Sequence, residues 1–157
     1  MAKNPRDIKY IIVHCTDSDD SLDIGFREID QWHNERGWLS GTGISCGYHY
    51  VVRRSGKLEK GRPDWEVGAH VKGWNKNSIG IVWVGKKDIA KDQYHTLMAT
   101  IRGLMNQYRV PVENVLGHCE IDHLKTCPNL HMLKLRANLV FFKAEDIDDQ
   151  IKVIMKL

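Results

Sequence analysis

Three side chains, His14, His118 and Cys127, have the chemistry of a metal centre. His14 closes the β-branched and aromatic run Ile8-Lys9-Tyr10-Ile11-Ile12-Val13, and His118 closes the shorter run Val115-Leu116-Gly117. Cys127 follows in a loop closed by Pro128. Two imidazoles and a thiolate form a borderline-soft set that suits zinc and leaves a fourth position for water, the arrangement of a catalytic ion. Singly, each has an ordinary explanation: a strand-end histidine is usually hydrogen-bonded structure, and a cysteine usually fills core. No short CxxC or HExxH pair ties the three together. The four cysteines, Cys15, Cys46, Cys119 and Cys127, lack the spacing of a small disulfide scaffold, so a reducing compartment leaves at least one free as a thiolate.

The elements that must position these residues follow from periodicity. The run ending in His14 reads as a buried central strand. From about Leu22 to Arg36, Ile24 or Phe26, Ile29 and Trp32 or His33 recur at helical spacing, with Gly37 where a helix C′ glycine belongs. Residues 47–53 and 57–60 flank Ser55-Gly56 as a hairpin, and alternation sends Tyr48 and Tyr50 to one face and His49 to the other. Residues 79–84 form another strand. Tyr94, Leu97, Met98, Ile101, Leu104, Met105 and Tyr108 make the cleanest helical stripe, which Pro111 ends. Two more helices are expected near 132–142 and 144–155. Alternating strands and helices predict an α/β domain with a central mixed β-sheet flanked by α-helices, its ligands gathered beyond strand ends. Trp32, Trp38 and Trp83 are expected in the core, and His33 and His95 on helix surfaces or interfaces.

The chain has 157 residues, 42% hydrophobic and 27% charged, with no low-complexity linker, which fits one compact domain. Residues 1–143 form its body and 144–157 a helical extension. A net charge of +3 from scattered Lys and Arg gives no case for nucleic acid. The N-terminal residues lack the apolar core of a signal peptide, and no run is long enough to insert in a membrane. Synthesis in the cytoplasm is therefore expected.

Five blocks carry a resemblance. They are Val13-His14-Cys15; Arg27-Glu28-Ile29-Asp30-Gln31-Trp32-His33 with Gly37-Trp38; Gly47-Tyr48-His49-Tyr50; residues 67–75 (VGAHVKGWN) with 77–81 (NSIGI); and Gly117-His118 with Lys125-Thr126-Cys127-Pro128. Collinear from about Ile8 to Pro128, they resemble the zinc amidases of the phage-lysozyme type. That family, N-acetylmuramoyl-L-alanine amidases and their binding-only relatives, is shared with the peptidoglycan recognition proteins.

The resemblance implies that His14, His118 and Cys127 hold Zn2+, that Tyr48 and Lys125 flank it as catalytic groups, and that His70 and Asn75 line a groove for the muramoyl-peptide of peptidoglycan. It also implies a phage or prophage endolysin that acts on the cell wall after release. The chain departs from the pattern in carrying one residue more between His118 and Lys125, and Cys119 where His or Arg is common. Cys119 and His123 thus stand as competing ligands.

The chemistry agrees with these roles. Amide hydrolysis at neutral pH needs an activated water and a polarised carbonyl, and zinc with one open position supplies both. Lys125 is tethered near the metal by Cys127 and can meet an oxyanion. Tyr48 can orient water or donate to the tetrahedral intermediate, and zinc and Lys125 would favour its ionised form. In the glycine-bearing loop 61–78, Trp65, His70, Trp74 and Asn75 offer stacking faces and hydrogen bonds for substrate. Two other readings remain: a peptidoglycan-binding module without activity, and a regulatory domain with a structural zinc, which would need four protein ligands.

Overall fold

The computed structural model describes residues 4–141 and 147–155. Its strands are β1 (Tyr10–Cys15), β2 (Tyr50–Val52), β3 (Leu58–Lys60), β4 (Ser78–Trp83) and β5 (Val115–Gly117). They form one sheet in the order β3-β2-β4-β1-β5, parallel except where β3 pairs antiparallel with β2. Parallel strands need both faces covered, and β1 and β4 are buried almost throughout. This is the expected α/β architecture.

Side-chain alternation divides the core. Ile11, Val13 and Cys15 of β1 join Ile79, Ile81 and Trp83 of β4 in the larger cluster. There they meet helices α2 (Lys91–Tyr108), α4 (Met132–Phe141) and α5 (Ile147–Met155). Val51, Val82 and Val84 lie in a smaller cluster with Ile29 of α1 (Phe26–Glu35). His14, between Val13 and Cys15, therefore belongs to the α1 face of the sheet.

Helix α1 starts later than its apolar pattern suggests. Glu28 accepts the Gly25 backbone N–H at 2.9 Å and Glu59 accepts that of Phe26 at 3.0 Å, which satisfies donors of the first turn there. The helix ends at Gly37, which takes φ +78°, a conformation open to glycine. In α2 the predicted stripe is buried from Tyr94 to Leu104, and the left-handed Arg109 with Pro111 ends the helix.

Three expectations are corrected. Trp32 and Trp38 are 39% and 36% exposed, because α1 turns only a narrow strip, Ile29 and His33, onto the sheet. His33 is accordingly buried, and its Nδ1 accepts the Gly47 N–H at 2.8 Å. Tyr48 and Tyr50 do not share a face: β2 begins only at Tyr50, so strand alternation does not reach back to Tyr48. Tyr50 packs on the larger core and Tyr48 on the smaller one. Trp83 is fully buried, as its strand position predicts.

Helix α5 is part of the same core. Ile154 is buried and its carbonyl accepts the His131 N–H at 2.7 Å, while Tyr94 donates its hydroxyl to Gln150 at 2.8 Å. The expected boundary at residues 143 and 144 lies outside the described residues. Among the described residues, no helix is long and apolar enough to cross a membrane.

Candidate metal centre and active site

Parallel pairing of β1 with β5 sets Val13 opposite Gly117, so the next residues, His14 and His118, emerge side by side beyond the C-terminal end of β5. Gly117 ends the strand and His118 begins α3 (His118–Ile121). The loop after α3 brings Cys127 back, with the Cys119 N–H donating to the Cys127 carbonyl at 2.7 Å.

The ligand atoms of His14, His118 and Cys127 lie within 4.8 Å of one another. His14 Nδ1 is 3.9 Å from Cys127 Sγ, close to the ~3.5 Å that zinc–nitrogen and zinc–sulfur bond lengths imply for two tetrahedral ligands. Burial, reinforced by the neighbouring imidazoles, holds His14 well below the usual histidine range; burial also lowers His118. Both rings are thus neutral, the form a metal ligand requires. Among the described residues no fourth His, Cys, Asp or Glu joins the group. Cys119 meets Cys127 through its backbone, and His123 is exposed. The set fits an ion with an open position.

A cavity of about 560 Å³ opens over the group. Tyr48 and Lys125 both line it, as do His70, His33, Arg36, Trp38 and Thr126. The Tyr48 ring is 5.1 Å from that of His14, centroid to centroid. Burial, followed by the neighbouring cysteines, pushes the Tyr48 phenol up, so the protein's own groups hold it protonated rather than ionised. Tyr48 is thereby equipped as an O–H donor.

The loop residues divide. His70 reaches the cavity, but its Nδ1 lies 2.9 Å from His14 Nε2. Asn75 Oδ1 accepts the backbone N–H groups of His70 and Val71, both at 2.9 Å, which braces the loop. Asn75 also lines a shallow depression that shares Trp38, Ala69 and His70 with the main cavity. Trp74 packs edge-on against Tyr10 with centroids 4.8 Å apart, and Trp65 is exposed.

Sequence reasoning missed Arg36 and Trp38 as cavity residues. The Arg36 guanidinium lies 5.3 Å from the centroid of the Trp38 ring, a cation stacked on an aromatic at the cavity wall. Their adjacency to the C-terminus of α1 was the available signal.

Known proteins resemble this chain in sequence and in fold. The chain is 36% identical over 130 residues to the endolysin of Escherichia phage T7, covering 78% of this chain and 81% of that one. It is 33% identical over 133 residues to the endolysin of Enterobacteria phage K11, covering 81% and 84%. Among solved structures, the N-acetylmuramoyl-L-alanine amidase LysC from Clostridium intestinale URNW superposes with a TM-score of 0.68 at 28% identity, covering 80% of this chain and 79% of the other. Drosophila PGRP-LB, at 23% identity and a TM-score of 0.65, shares the fold. The sequence pattern of one family runs from residue 4 to residue 130, across every strand and all the cavity residues named above, and the chain belongs to that family, N-acetylmuramoyl-L-alanine amidase.

Proposed function

We propose that the chain is an endolysin whose zinc ion, held by His14, His118 and Cys127, serves hydrolysis of the amide bond between N-acetylmuramic acid and L-alanine in peptidoglycan. The carrying observation is the convergence of these three ligand atoms at an open cavity, with no fourth ligand among the described residues. When bound, zinc supplies Lewis-acid polarisation of the scissile carbonyl and a water made nucleophilic at neutral pH.

The chain's own residues do the rest. The Tyr48 hydroxyl donates to the oxygen that gains charge as the carbonyl is attacked, and its packing beside His14 and His33 fixes its direction. Lys125, on the same cavity, places a cation against that charge. The cavity and the depression beside it let muramoyl-peptide lie from the metal ligands past Trp38 and His70 toward Asn75. Trp74 supports that loop from behind through Tyr10.

Zinc content measured together with release of free amino groups from purified peptidoglycan tests this reading. Stoichiometric zinc and amino-group release are expected. Metal-free protein that hydrolyses peptidoglycan at the same rate in excess chelator would defeat it.

A further inference from the structure

The His70 ring occupies a seat made by two missing side chains. A Cβ on Gly80 would come within 2.8 Å of His70 Cδ2, Cγ and Nδ1, and one on Gly68 within 2.7 Å of Cδ2. The ring therefore lies flush against the α1 face of the sheet, perpendicular to His14 at an interplanar angle of 87°. Its Nδ1 is 2.9 Å from His14 Nε2, and its Nε2 is 3.2 Å from Ser78 Oγ. The backbone on either side is held by Asn75.

Proton positions follow from what a ligand must be. His14 turns Nδ1 toward Cys127 Sγ, so Nδ1 must carry the lone pair and Nε2 the proton. That proton needs an acceptor, since a buried N–H without a partner forfeits the hydrogen bond it made with water in the unfolded chain. His70 Nδ1 is the atom placed to accept it, and the remaining His70 proton then points from Nε2 to the Ser78 hydroxyl.

We propose that His70 is a positioning residue of the metal centre: by accepting the His14 Nε2–H, it fixes the tautomer and ring angle that aim His14 Nδ1 at the metal. This rests on the zinc reading above. It gives His70 work distinct from lining a groove, and it gives Gly80, where the three nearest atoms to an added Cβ all belong to the His70 ring, a reason to lack a side chain.

The test is zinc affinity of the purified full chain, read by competition with a coloured chelator, together with ¹⁵N NMR of the His14 tautomer in metal-free protein. His70→Leu fills the seat without an acceptor, so affinity falls about 10–100-fold, the cost of losing an outer partner of a ligand histidine. His70→Asn puts an amide oxygen where Nδ1 stood and stays within about threefold of wild type, whereas the polar atoms of His70→Gln fall near the old Nε2 and give no such rescue. His14 keeps its Nε2–H form in wild type and His70→Asn and loses that preference in His70→Leu.

Equal affinities for the Leu and Asn variants overturn the proposal. Should His70→Leu fail to fold, His70→Asn against His70→Gln decides, and equal affinities there overturn it too. Wild-type protein that binds no zinc, or a Cys127→Ser variant that binds it as tightly, defeats the zinc reading itself, whatever the His70 variants do.

Discussion

The backbone N–H of Cys15 donates to the sulfur of Cys127 at 3.1 Å, so the residue after one candidate ligand holds another in place. This contact joins β1 to the loop after α3 and fixes the sulfur on the His14 side of the cavity. It also suits a thiolate, whose charge gains more from an N–H donor than a neutral thiol does.

Cys127→Ser should therefore fold, because serine can accept the same N–H, but should lose tight zinc binding and hydrolysis together, since a neutral hydroxyl is a far poorer ligand. His118→Ala should behave alike. Metal analysis after dialysis and an amidase assay check both; full zinc occupancy with normal turnover in Cys127→Ser would refute the ligand assignment.

Lys125→Ala and Tyr48→Phe separate chemistry from metal binding. Both residues line the cavity without joining the ligand group. Each variant should keep zinc and lower turnover by about 10²–10⁴, with a smaller effect on KM. The double variant should lose less than the product of the two, as expected of two groups proposed to act on the same developing charge. Release of zinc from Lys125→Ala would show that the additional residue after His118 shifts this role elsewhere.

Removing the chain after residue 143 should cost stability and leave chemistry. The deletion strips Ile154 from the core and Gln150 from Tyr94, yet neither lines the cavity. Ile154→Ala alone should cost about 2–5 kcal/mol, read from urea denaturation. Loss of turnover per zinc-loaded molecule at low temperature would instead make α5 part of the site.

Acid should destabilise the metal-free protein well above the carboxylate range. Burial holds both His33 and His49 down at about 4. Unfolded, each titrates near ~6.5, so between those values the unfolded chain binds more protons and stability falls as pH drops. Below about 4 these two groups add nothing further. His49 contributes on the order of 3 kcal/mol across the window, and His33, which lines the open cavity and is screened by solvent there, contributes less. Urea midpoints from pH 7 to 4 should decline throughout; a flat profile down to pH 4.5 would mean that these rings gain solvent or partners on protonation.

Residue types and local periodicity determined much of this protein. The apolar runs fixed β1 and β4, the stripe from Tyr94 to Tyr108 fixed α2, and Gly37 and Pro111 placed their helix ends, because these signals act within a few residues. The collinear blocks likewise named His14, His118 and Cys127 as candidate ligands, and the fold brings these three together. Tertiary structure decided what depends on distant partners. The sheet order set His14 beside His118. The width of sheet under α1 exposed Trp32 and buried His33, which an amphipathic pattern cannot distinguish because it does not know how wide a neighbour will cover it. The late start of β2 turned Tyr48 toward His14 and away from Tyr50. The place of His70 followed from absent side chains at Gly68 and Gly80, and in sequence a missing Cβ says nothing about which ring will fill the space.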